Sequence, residues 1–150
     1  MKTCRVVLFA VLAAVAVVPA TTQELVSSLC LGCICEASSA CNTQLGCENG
    51  FCGPFRISNA FFIDSELSKE PNFAQYNFQS CTTDPFCSAA VIRKYMAKYP
   101  RDCDGDGQFT CKDYAMVHKA GPDGCTNTQR VRVTDYWRRF ESCLSYFPNA

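Results

Sequence analysis

The 150-residue chain carries 14 basic and 14 acidic residues, a formal net charge of zero, and 13 cysteines. That charge balance argues against the basic surface of a nucleic-acid binder, and the cysteine density argues against a reducing compartment. Eleven phenylalanines and six tyrosines add the bulk for a true core beside the cross-links.

Residues 1–20 contain Lys2 and Arg5, an apolar run from Val6 to Val18, then Pro19-Ala20. This is the pattern of a cleaved secretory signal, with Val18 and Ala20 at the two small-residue positions before the cut. The run is shorter than the roughly 20 apolar residues that a membrane span needs, and no later segment is apolar enough. Cleavage after Ala20 removes Lys2 and Arg5 but no acid, leaving 12 basic against 14 acidic residues in a domain of residues 21–150. It also removes Cys4. The twelve remaining cysteines are Cys30, Cys33, Cys35, Cys41, Cys47, Cys52, Cys81, Cys87, Cys103, Cys111, Cys125 and Cys143. An even number in an extracellular chain predicts six disulfides, whose pairing spacing alone does not give.

After a short polar lead, residues 29–41 read as a compact, disulfide-tied helical segment. Residues 42–53 read as loop, punctuated by Asn42, Gly46, Asn49, Gly50 and Gly53. Phe55 and Ile57 alternate with Arg56 and Ser58, predicting a short strand. Ala60, Phe61, Ile63 and Leu67 suit one face of a helix, and residues 68–83 read as irregular and aromatic. Asp84-Pro85 opens the clearest helix, an N-cap acid before a first-turn proline. Its apolar stripe runs through Val91, Ile92, Tyr95 and Met96 to the stop at Pro100. Further helices are predicted from about Thr110 to Lys119, ended by Gly121-Pro122, and from about Thr134 through Trp137, Phe140 and Leu144. The expected class is mainly α (α+β), a small secreted disulfide-rich domain with a short strand region and a helical C-terminal half.

Several separated strings together resemble the invertebrate-type (i-type) lysozymes, or destabilase family. They are Cys30-Leu31-Gly32-Cys33-Ile34-Cys35, Cys52-Gly53-Pro54-Phe55-Arg56-Ile57 and Ala60-Phe61-Phe62-Ile63-Asp64, then Tyr95-Met96 with Tyr99. Cys111 with Tyr114-Ala115 and His118, Gly121-Pro122-Asp123-Gly124-Cys125 and Tyr136-Trp137 complete the set. The resemblance implies a lysozyme-like fold whose cleft grips bacterial peptidoglycan or a related aminosugar polymer and hydrolyses its β-1,4 bond. It implies no required cofactor, and Phe55 and His118 are the candidate sugar-contacting residues. Phe61, Phe62 and Trp137 are further stacking candidates, although most such aromatics belong to cores.

That hydrolysis needs a proton-donating carboxyl and a second, ionised one, about 5–5.5 Å apart in a retaining enzyme. The resemblance places the first acid third after Cys-Ile-Cys, where Glu36, Ala37, Ser38, Ser39 and Ala40 are framed by cysteines, so its position holds Ser38. A hydroxyl is no proton donor at neutral pH. Glu36 lies two residues earlier, about 200° around a helix. The second acid belongs to a loop that here shortens to Glu48-Asn49-Gly50-Phe51, with no aspartate. The family's serine for isopeptide cleavage would stand where Gly50 and Phe51 are, which leaves His118 without a nucleophile.

Asp102, Asp104, Asp106, Gly107 and Asp113 fall at positions 1, 3, 5, 6 and 12 of a twelve-residue loop, with Phe109 at position 8. This spacing resembles an EF-hand or dockerin calcium loop and predicts a structural Ca2+ site; the bland alternative is an acidic turn between helices. Three functional readings remain. The protein is a non-catalytic or weakly active glycan binder, an active muramidase using Glu36 or Glu48, or an extracellular interaction scaffold.

Overall fold

In the computed structural model, residues 25–147 are described; the signal segment expected over residues 1–20 lies outside them. Among these described residues, seven α-helices and one small sheet follow in chain order. Helix α1, Ser28–Ser39, begins where the Ser27 hydroxyl accepts the Cys30 N–H at 3.1 Å. It ends at Ala40, whose left-handed backbone (φ 54°) lets its N–H reach the Glu36 carbonyl.

Strands β1 (Cys47–Glu48), β2 (Phe51–Cys52) and β3 (Ile57–Ser58) form an antiparallel sheet in that order. The β1–β2 hairpin stands where the sequence reads as loop. Asn49 and Gly50 both have positive φ, 52° and 81°, as a two-residue primed turn requires, and this Asn-Gly pair was the available signal. Strands of two residues are too short for alternation to reveal.

Helix α2 (Asn59–Ser65) is turned differently from the expected face. Phe62 and Ser65 are buried, whereas Ile63 points outward at 62 % exposure. Short 3-10 turns at Leu67–Lys69 and Pro71–Phe73 lead to α3 (Phe78–Thr83), again in a stretch expected to be irregular. A reciprocal cap starts α3, Asn77 accepting from the Ser80 N–H and Ser80 from the Asn77 N–H. Helix α4 (Pro85–Lys98) runs as predicted, with Val91, Ile92, Tyr95 and Met96 buried. Helix α5 (Cys111–Gly124) passes beyond Lys119 but is broken at Gly121 (φ 73°, ψ 169°), where the glycine-proline stop was placed. A short α6 (Thr128–Arg132) precedes α7 (Asp135–Leu144).

The twelve cysteines pair as 30–111, 33–143, 35–41, 47–52, 81–87 and 103–125. Two of these bridges position the functional region. Cys33–Cys143 joins α1 to α7 across 110 residues, and Cys30–Cys111 joins α1 to α5 across 81. The α1–α7 contact is the most extensive in the fold. Ile34 of α1 and Trp137 and Phe140 of α7 are buried in the single core. Burying an isoleucine or phenylalanine side chain contributes roughly 1.5–3 kcal/mol. No helix of the described residues is long and apolar enough to cross a membrane.

Candidate functional site

The C-terminal turn of α1, the hairpin, α5 and the first turns of α7 enclose a cleft of about 400 Å3. Its lining is Ala37, Ser38, Phe51, Arg56, His118, Lys119, Asp135, Tyr136 and Arg139. Three walls are fixed: the two long-range disulfides hold α1 against α7 and α5, and the Tyr136 hydroxyl donates to the Ala115 carbonyl of α5 at 3.1 Å. On the fourth side the Ser39 hydroxyl donates to the Pro54 carbonyl at 2.6 Å, joining the end of α1 to the turn before β3.

Ser38 lines this cleft, and its hydroxyl donates to the Ile34 carbonyl one turn back at 2.7 Å. Glu36 does not line it. Glu36 is exposed and faces an adjoining open hollow of about 500 Å3 with Arg138, Ser142 and Tyr146; Asp135 and Arg139 border both spaces. Glu48 sits outside the cleft, its carboxylate 2.7 Å from the Arg56 guanidinium. Asp135, which the sequence reading passed over, is the one carboxylate among the cleft's lining residues, and it is exposed and ion-paired with Arg138.

His118 is the expected residue that does reach the cleft. Its ring stacks on Tyr136 with centroids 5.9 Å apart and meets the edge of Phe61 at 5.7 Å. Burial, reinforced by the neighbouring Lys119 charge, lowers its pKa to about 4, against an opposing hydrogen bond to the Phe55 backbone. The imidazole is therefore neutral at physiological pH. Burial also pushes the Tyr136 phenol well above its usual value.

The expected stacking aromatics are placed otherwise. Phe55 is buried in the core and reaches His118 through its backbone, so it presents no ring to a ligand. Phe62 and Trp137 are likewise core, and Phe61 stacks on Tyr95 at 3.7 Å. Their apolar neighbours on α4, α5 and α7 remove them from water, as happens to most large aromatics. The exposed aromatic at the cleft is Phe51, 43 % exposed, with the Arg56 guanidinium 5.6 Å from its ring centre. Its exposure follows from its place on a two-residue strand, which no periodicity could indicate.

In the acidic loop, carboxylate oxygens of Asp102, Asp104 and Asp106 lie within 4.8 Å of one another. Asp102 accepts from the Gly105 and Gly107 N–H groups, which lower its pKa. Asp113 is not in that group. Its buried carboxylate accepts the Cys103 N–H at 2.8 Å, the Thr110 N–H at 2.9 Å and the Thr110 hydroxyl at 3.1 Å, capping α5. Thus the side chain at the twelfth position of the expected Ca2+ loop bonds the start of α5 and the Cys103 backbone.

The sequence model of the destabilase family matches residues 27–143, from the α1 cap to the cysteine that closes α7. The chain belongs to the destabilase family. Its relatives include lysozyme 1 of Crassostrea virginica, 32 % identical over 79 % of this chain and 60 % of the relative's length. A lysozyme of Ostrea edulis is 32 % identical over 76 % of this chain and 78 % of its own. The chain thus spans about three-fifths of the first relative and about four-fifths of the second. Among solved structures, a lysozyme of Tapes japonica superposes with a TM-score of 0.62 at 26 % identity, covering 79 % of this chain and 91 % of that one. An inhibitor-bound lysozyme from Meretrix lusoria gives 0.61 at 27 %, covering 80 % and 92 %. This destabilase-family chain shares their overall fold, and its own cleft is lined with a serine, cations and one exposed aspartate.

Proposed function

We propose that the protein is a secreted, non-catalytic glycan-binding member of the i-type lysozyme group, directed at bacterial peptidoglycan or a related aminosugar polymer. The relatives' lysozyme names and the twelve paired cysteines support the ligand class and the extracellular setting. One observation carries the loss of catalysis: the cleft offers a single carboxylate, Asp135, whereas glycoside cleavage by this chemistry needs two facing the scissile bond. Ser38 contributes no acid, and neither Glu36, which borders the adjoining hollow, nor Glu48, which is paired with Arg56, is among the cleft's lining residues. The exposed face of Phe51 supplies an apolar surface for a sugar ring at the rim.

The test is muropeptide release from purified peptidoglycan by the mature protein, read by chromatography, beside co-sedimentation with the same polymer. The expected result is binding without release. Release by the unmodified protein overturns the reading, and its loss in Glu36→Gln or Glu48→Gln would identify the acid in use. Absence of both release and binding would leave an interaction scaffold.

A further inference from the structure

Four ionic groups line the cleft: Arg56, Lys119, Arg139 and Asp135. Two of them are already compensated, Arg56 by Glu48 at 2.7 Å and Asp135 by Arg138. Lys119 and Arg139 have no ion-pair partner among the described residues. The Lys119 ammonium lies 5.4 Å from the Tyr136 ring centre, a contact that orients it without neutralising it. Glu36 borders the adjoining hollow with Arg139 but forms no salt bridge to it. The remaining titratable groups facing the cleft, His118 and Tyr136, are neutral at physiological pH. The cleft therefore carries about two unbalanced positive charges in a protein whose overall charge is near zero. The N-terminal turn of α7 forms one wall and adds the positive end of a ten-residue helix dipole.

We infer that this cleft is an anion-recognising subsite, in which Lys119 and Arg139 grip a carboxylate or sulfate group carried by a saccharide. The inference rests on the glycan-binding reading above and specifies which glycans that site selects. A guanidinium fork and an ammonium lining one small cavity suit the oxygen pair of a carboxylate or the three oxygens of a sulfate. The walls, Phe51 and Ala37 among them, supply the apolar surface that a sugar ring needs beside the charge. About 400 Å3 lies at the small end of ligand sites, room for a sugar residue or two rather than for a protein segment. Hydrogen bonds to charged groups are worth about 1.5–3 kcal/mol each, so one such contact gives a preference of about tenfold or more.

The experiment is calorimetric titration of the mature protein with three probes of similar length. These are chitotetraose (neutral), an alternating N-acetylglucosamine–N-acetylmuramic acid tetrasaccharide (carboxylated) and a heparin-derived tetrasaccharide (sulfated). The expected result is at least tenfold tighter binding of one or both anionic probes, weakening with added salt, and the two anionic arms separate carboxylate from sulfate. Lys119→Gln combined with Arg139→Gln should remove most of that excess. Arg101→Gln combined with Lys112→Gln, an equal loss of charge at exposed positions away from the cleft, should leave it. Equal affinity for all three probes, or an excess that survives in the cleft variant, overturns the inference alone. Binding of none overturns the glycan-binding reading and the inference with it.

Discussion

Replacing Gly53 by alanine tests how the hairpin is seated. Gly53 follows β2 with φ 69°, and an added methyl would stand 1.7 Å from the Thr82 carbonyl oxygen, 2.6 Å from its carbon and 3.2 Å from the Thr83 Cα. All three are backbone atoms at the end of α3, which the Cys81–Cys87 bridge ties to α4, while Cys47–Cys52 holds β2 to its partner. Neither side yields easily. The left-handed backbone costs a non-glycine residue about 1–2 kcal/mol, and forcing extra volume into packed structure about 1–3 kcal/mol more. The expected loss is therefore roughly 2–5 kcal/mol, a large part of a typical 5–15 kcal/mol stability. Gly50→Ala is the control. It has φ 81° with nothing within 4 Å of the new methyl, so it carries only the backbone cost. Thermal unfolding followed by near-ultraviolet circular dichroism should place Gly53→Ala well below Gly50→Ala, at about 4 °C for each kcal/mol of difference. If the two variants melt within about 2 °C of each other, the close approach of the hairpin to α3 is not what holds that corner.

Two further outcomes follow from buried polar groups. The His118 pKa is about 4 in the fold and near 6.5 unfolded, so below the higher value the unfolded chain takes up a proton that the native one refuses. Stability should thus fall as pH drops from about 6.5 to about 4, by up to the order of 3 kcal/mol, and denaturant titrations of His118→Gln should show a flatter profile. Asp113→Asn leaves an amide where a carboxylate accepted three hydrogen bonds, and should cost about 1–3 kcal/mol in the same titrations. Because these partners are protein groups, the loss should be the same with calcium or with a chelator.

What the sequence made legible divides by length of signal. Helices α4, α5 and α7 were readable because caps, stops and apolar stripes agree over ten or more residues. Strands β1 and β2 and helices α3 and α6 were not, because two to six residues cannot establish a period. The Asn77 cap of α3 and the Asn49-Gly50 turn were present as local signals without a periodic segment to attach to. In the site, the position of Ser38 was fixed by its flanking cysteines, and Glu36, two residues earlier, borders the adjoining hollow instead. Phe51, Lys119, Asp135 and Arg139 were missed for one reason. They come from three elements distant in sequence, which the Cys33–Cys143 and Cys30–Cys111 bridges, whose pairing the sequence leaves open, and the Ser39–Pro54 bond bring to one cavity.

The residues that hold this fold and the residues that face its cleft are nearly separate sets. Disulfides, the core that holds Ile34, Trp137 and Phe140, and the Gly53 corner hold the elements around the cavity, and none of them depends on the side chain at Ser38. Ser38 makes only a local bond to the Ile34 carbonyl one turn away, which lies within its own helix. Exchange at that position therefore costs the scaffold little, whatever it does to chemistry. The same holds for Lys119 and Arg139, whose charged ends have no ion-pair partner among the described residues. Tyr136 and His118 differ, Tyr136 being buried and His118 half-buried and stacked on it, so the cleft floor joins the core while its rim is free to vary. A cavity built this way keeps its shape when residues at its rim are exchanged.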